Sequence, residues 1–256
     1  MDNIAIQIYN AEAKARFIIG DLGIANDLLD ELLKIKNNSL PMSERFKAYE
    51  MKILVAQTTS NFDDATSLAL ELRKELHFKP IPLHPSMFTI IKEYLKTKRA
   101  LKNRSAEALV SLPDLTDERV IIGQRMLDLL ATTAYQSNPQ MYPIIPFRLA
   151  RQTIKSGINQ TSSVAYVAIG LLQCGAFGEF DRGREMGRAA ELLLERKGMK
   201  DMISRIRFIN QGMIQHWTTP LKRTLQPLLD GYIIGLETGD TESAGWNSKT
   251  YALFRY

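Results

Sequence analysis

The chain of 256 residues contains one cysteine and three histidines. Cys174 can form no internal disulfide, and the scattered His77, His84 and His216 offer neither an H-E-x-x-H helix nor a Cys/His cluster for a metal ion. No D-x-D-x-D-G calcium loop occurs. No uncharged apolar run reaches the roughly 18 residues of a membrane span. The opening stretch MDNIAIQIYNAEAKARF lacks the basic segment and apolar segment of a secretory signal. A lone cysteine within the apolar run VAIGLLQCGAF fits a reducing, cytoplasmic setting, where it serves as a small core hydrophobe.

The signatures of catalysis are missing as well. No glycine is followed by lysine, which removes the Walker phosphate loop, and neither G-x-G-x-x-G nor the G-x-S-x-G nucleophile elbow is present. No catalytic residue, cofactor, metal site or small-molecule substrate is therefore expected. His216-Trp217 could be read as a phosphoacceptor or base, but an aromatic packing corner is the better expectation, and His84, ahead of a proline, reads as a turn residue.

What the chain does have is an ordinary soluble composition, 45% hydrophobic and 24% charged, at a length that buries roughly 70% of the unfolded surface. Of the net charge of +5, the excess is local. The segment KEYLKTKRALKNR, residues 92–104, carries Lys92, Lys96, Lys98, Arg99, Lys102 and Arg104 against Glu93 alone. It reads as a solvated helix face, and as the phosphate contact of a nucleic-acid-binding module in the alternative reading.

Alternation of period two is scarce, and apolar positions recur with helical period between breaks at 37–41, 79–85, 111–117, 137–140, 157–162 and 218–221. The expected fold is all-α. Apolar or small residues fall at offsets 0, +3, +7 and +10 in Leu22, Ala25, Leu29, Leu32, again in Phe62, Ala65, Ala69, Leu72, and again in Phe180, Gly183, Gly187, Ala190. Each set follows a small or polar pair, Gly20-Asp21, Ser60-Asn61 or Gly178-Glu179, suited to a tight turn. A beat near forty residues with one hairpin per unit predicts a right-handed superhelix of five or six antiparallel helix pairs. The glycine-rich stretch 170–198 is accordingly two closely packed helices, with Gly183 and Gly187 on the contact stripe.

These offsets resemble the second helix of tetratricopeptide repeats (TPR). From about residue 80 onward, the ordered blocks LHPSMFTI, ALVSLPDLTDERVIIGQRMLDLLATTAYQSNPQMYPII, GINQTSSVAYVAIGLLQCGAFGEFDRGREMGRAAELL, RIRFINQGMIQHWTTPL and LLDGYIIGLETGDTESAGW are similar to a particular region. It is the TPR-like arm beside the AAA/STAND ATPase module of hybrid histidine kinases and serine/threonine kinases with GAF domains. The first 80 residues match only the general helical-repeat pattern and are read as N-terminal helical pairs, while the resemblance implies a TPR-like region over 81–256, truncated at its C-terminal end because GDTESAGWNSKTYALFRY reads as the first helix of an unfinished hairpin. It further implies a non-catalytic scaffold or regulatory arm whose partners are protein segments or neighbouring kinase domains. Candidate interaction residues are Tyr135 and Tyr142 flanking the SNPQ turn, Trp246, and the cations Lys98 and Arg99. Aromatics at helical spacing also serve as core.

Overall fold

A computed structural model describes residues 3–34 and 41–256, so most of the break expected at 37–41 lies outside the described residues. The helices are α1 (Asn3–Ile18), α2 (Leu22–Lys34), α3 (Met42–Thr58), α4 (Phe62–Glu75), α5 (Met87–Leu101), α6 (Ala106–Val110) and α7 (Glu118–Ser137). They continue with α8 (Ile144–Ser156), α9 (Thr161–Gly175), α10 (Phe180–Lys197), α11 (Ile203–Ile209), α12 (Leu221–Thr238) and α13 (Thr241–Arg255). From α11 the chain runs on through a π-helical stretch, Asn210–Ile214, and a 3-10 turn, Gln215–Trp217. Among the described residues the fold is all-helical, and the extended pairing is confined to one parallel bridge between Asp114 and Ile158.

The turns between paired helices share one backbone device. Gly20, Ser60, Gly178 and Gly239 have φ of 84°, 58°, 64° and 81°, the left-handed conformation that ends a helix and reverses the chain. The next amide returns to the helix just finished: Asp21 N donates to Arg16 O at 2.9 Å and Asn61 N to Ala56 O at 2.7 Å. Asn61 and Asp240 then cap the following helix, accepting from the amides of Asp64 and Ser243. In this way α1 turns into α2, α3 into α4, α9 into α10 and α12 into α13. The offset positions Ala25, Leu29, Leu32, Ala65, Ala69, Leu72, Gly183, Gly187 and Ala190 are all buried.

Two sequence expectations change here. The corners at 20, 60, 178 and 239 are not evenly spaced, so the forty-residue beat holds only between the first two. And α13 is the second helix of a hairpin with α12, not the opening of a further one. The Gly239-Asp240 corner escaped notice because the inward positions after it, Ser243, Asn247 and Thr250, are polar.

The chain forms two compact units, Met1–Pro85 with Glu118–Ile145, and Ser86–Asp117 with Pro146–Tyr256. The first ends close to the break expected at 80, yet it also takes in 118–145, which had been placed with the second region. In the first unit, Ile6 and Ala13 of α1, Ala25, Leu29 and Leu32 of α2, and Ala48 and Val55 of α3 make one apolar cluster. Gln57 of α3 reaches α7, donating to Leu129 O at 2.9 Å and Thr133 Oγ1 at 2.8 Å. Gly123 of α7 leaves room for the Phe78 ring, which lies between the guanidiniums of Arg73 and Arg119, 4.7 and 5.2 Å from its centroid.

In the second unit α5 packs on α8, with Thr97 donating to Phe147 O at 3.2 Å. α6 leans on α10 through Ala106 N to Glu185 Oε1 at 2.7 Å. The glycines set the spacing of the remaining helices. A Cβ built on Gly170 of α9 would stand 2.8 Å from Gly183 O, and one on Gly183 of α10 would stand 2.8 Å from Gly170 O, so backbone touches backbone. The space beside Gly187 is filled by the Asn210 side chain, that beside Gly231 by Asn247, and that beside Gly235 by Ser204 and Ala244. Asn247, fully buried, donates to Ser204 O at 2.9 Å and Ser243 O at 2.8 Å.

This packing gives a test of opposite signs. Alanine in a helix interior is usually better than glycine by about 1 kcal/mol. Gly245→Ala in α13, with no atom within 4 Å of the added methyl, should raise the urea midpoint accordingly. Gly170→Ala should instead lower stability by about 1–3 kcal/mol through overpacking.

Candidate functional site

A concavity of about 550 Å³ lies in the first unit between α1 and α3 and is lined by Asn10, Lys14, Glu44, Lys47, Glu50 and Met51, among others. Its floor has a physical origin in the α1 pattern. Ile6, Asn10 and Ala13 follow one another on the inward stripe, and Asn10 is the polar member, only 8% exposed. Its amide donates to Glu44 Oε2 at 2.9 Å and to Glu44 O at 3.2 Å. Its own side-chain carbonyl oxygen is buried without a hydrogen-bond partner. Buried polar atoms are nearly always paired, so this enclosed, unpaired acceptor is an uncompensated cost beneath the groove.

The charges around it divide into engaged and available. Glu44 is held by Lys47 at 2.8 Å, and Glu50 by Arg125 at 2.7 Å. Lys14 is exposed and has no acidic partner among the described residues. The groove thus combines the Lys14 ammonium, without an acidic partner among the described residues, with the apolar surface of Met51 and Leu54. None of these residues stood out in the sequence, though an asparagine on an otherwise apolar stripe was a readable signal.

None of the residues that were singled out lines the groove. Tyr135 is 54% exposed and meets Tyr142 edge to face at 5.3 Å. Met141, beside them, is fully buried. Trp246 is 43% exposed, stacks on Phe208 at 5.6 Å and has the Lys249 ammonium 4.9 Å above its ring. Lys98 is an internal tie, 2.5 Å from Glu179 Oε1, whereas Arg99 stands exposed. His216 and Trp217 form an aromatic corner with Phe180 and Phe254, at centroid distances of 5.0 to 5.9 Å. Burial holds the His216 imidazole below its ordinary pKa.

Two buried polar clusters tie helices of the second unit together. Arg151 of α8 pairs with Glu93 of α5 and donates to Glu93 O at 2.9 Å and Thr97 Oγ1 at 2.5 Å. Burial alone would raise the Glu93 carboxyl, but the charge and hydrogen bond of Arg151, with help from Lys96, hold it below the usual range. Next to it, Tyr94 stacks on Phe177 at 3.8 Å, and burial together with the neighbouring Glu179 carboxylate pushes its phenol up. The second cluster uses the π-helical stretch. Asn210 donates to Glu191 Oε1 at 3.1 Å and accepts from Gln215 Nε2 at 3.2 Å, with the Arg207 guanidinium 3.8 Å from Glu191. Widening the helix by one residue per turn brings these polar groups to the α10 face at Gly187.

Cys174 is 3% exposed, and burial pushes its thiol up to about 11, so it has the character of a packed hydrophobe and not of a nucleophile. No helix among the described residues is long and apolar enough to cross a membrane. The chain matches no family model and no curated protein.

Two measurements check the clusters. Because the folded Glu93 carboxyl titrates below its unfolded value of about 4.3, its contribution is present above that pH and fades as pH falls through the lower folded value. Glu93→Gln should cost about 2 kcal/mol at neutral pH. Its thermal midpoint should then converge on that of the wild type in acid, and a gap unchanged by acid would disconnect this carboxylate from stability. For Cys174, a thiol reagent should label the native chain only at the rate of unfolding, with full reaction in denaturant.

Proposed function

We propose that the chain is a non-catalytic, TPR-like helical-repeat scaffold or regulatory arm, working in the cytoplasm as part of a multi-domain ATPase and histidine-kinase signalling protein. Its partners are protein segments or the neighbouring domains of that kinase. The reading is supported by the repeated hairpins with their shared left-handed corner, and by ionisable groups that are spent on tying helices together. The observation that carries it is the groove between α1 and α3, the leading helices of two successive hairpins, lined by the apolar surface of Met51 and Leu54 and by Lys14, which has no acidic partner among the described residues.

In mechanism, a segment laid along the groove would set apolar side chains against Met51 and Leu54 and its own acceptors or carboxylates on Lys14. Binding energy spent on one state of a parent assembly shifts its equilibrium by the difference in affinity between states. The nucleic-acid alternative is the weaker reading. Of the six cations in 92–104, Lys96 is held by Glu93, Lys98 by Glu179, and Arg104 by the Ala100 carbonyl.

A display library of short random peptides panned against the full chain tests the proposal. Enriched peptides should lose about tenfold or more in affinity on Lys14→Glu, the loss expected when a hydrogen bond with a charged partner is removed. Peptides that bind this variant as tightly as the wild type, or a failure to enrich any, would remove the groove as the interaction site.

A further inference from the structure

The outward face of α5 is built in two halves. Ile90, Glu93, Tyr94, Thr97 and Leu101 point inward and are buried. On the opposite line of the same helix, Phe88 is 77% exposed, Ile91 45% and Leu95 57%, and Met87 beside them is 68% exposed. Continuing along that line toward the C-terminus comes Arg99, with Lys92 at its flank, and Lys102 follows at the left-handed residue that ends the helix, all exposed. From Phe88 to Arg99 the face runs about 17 Å along the axis.

None of these three cations has an acidic partner among the described residues, whereas Lys96 and Lys98 of the same segment are paired with Glu93 and Glu179. The one carboxylate of α5, Glu93, is turned inward to Arg151. The face is therefore apolar at one end and positive at the other, with no negative group of its own. Cations near a helix C-terminus offset the helix dipole, which accounts for Arg99 and Lys102 but not for a phenylalanine and two aliphatic side chains left in water.

The geometry points to an anionic lipid surface as the occupant of this face, held by Phe88, Ile91 and Leu95 in the acyl boundary and by Lys92, Arg99 and Lys102 on the headgroup phosphates. The side chains project from a single helix, and a fluid surface accepts such a line without a groove of matching shape. Long basic side chains keep their stems along the apolar layer while their charged ends reach the headgroups. The inference goes beyond the groove reading and does not depend on it, since α5 belongs to the second compact unit.

The test uses the full chain in sedimentation with phosphatidylcholine vesicles, with and without phosphatidylserine. Binding is expected only to the anionic vesicles, falling with added salt. Neutralising Arg99 and Lys102 together (Arg99→Ala, Lys102→Ala) should weaken it on the order of 25-fold, roughly fivefold per charge. Phe88→Ser, which leaves the charge intact, should also weaken it, and an unchanged thermal midpoint in each exposed-site variant keeps folding out of the comparison. Retention of anionic binding by both variants overturns the proposal, as does equal binding to neutral vesicles or none at all. Capture of an acidic amphipathic peptide without vesicle binding would assign the face to a protein, and binding of nucleic-acid probes insensitive to Phe88→Ser would assign it to phosphate alone; either replaces the lipid. Because these variants lie outside the groove, peptide binding there should be unaffected, so the two readings fail separately.

Discussion

Each paired set of helices depends on one residue that leaves the right-handed region. At Gly20, Ser60, Gly178 and Gly239 the chain takes a positive φ and starts the next helix antiparallel, and at the first three the following amide reuses a free carbonyl of the helix behind it. With that residue in place the inward stripe of the second helix faces the first, and burial of leucine, alanine and glycine follows. Three of the four positions are glycine, for which the conformation costs little, whereas Ser60 bears a modest steric penalty that its hairpin absorbs.

Much of this was legible in the residues. Helical periodicity announced an all-α chain, and the offsets after Gly20, Ser60 and Gly178 located three corners and their buried stripes. Gly183 and Gly187 were correctly assigned to helix contact, because a missing side chain on an apolar stripe has few other uses, whereas Gly178 and Gly198 of the same stretch are left-handed helix ends with open space beside them. The fourth corner was hidden by Ser243, Asn247 and Thr250, polar residues buried only because Ser204 and the α12 glycines receive them. The π-helical stretch had no pattern to betray it, since one extra residue in a turn leaves no mark in composition. Nor could local pattern reveal that 118–145 belongs with the first eighty-five residues, a matter of contacts distant in sequence such as Gln57 with Thr133.

Surface chemistry was harder to read than fold. A run of six cations looks uniform in sequence, but the helix sorts it by angle. Lys96 and Lys98 fall where Glu93 and Glu179 wait, while Arg99 falls on the outer line behind Phe88 and Leu95, with Lys92 at its flank and Lys102 at the helix end. The groove shows the converse: Asn10 is unremarkable until its stripe is seen to be buried, and then its side-chain oxygen stands out as an acceptor enclosed without a partner.

The glycine contacts of the second unit carry a further consequence. Asn210 seats against Gly187, Asn247 against Gly231 and Ser204 against Gly235, so every polar knob has one notch in the facing helix. Slipping a helix by a turn would drive an amide into a side chain and strand its hydrogen bonds in an apolar contact, both costly. Hairpins built to one plan risk docking on the wrong neighbour during folding. Knob and notch act as an address, so that similar helices find their own partners and no others.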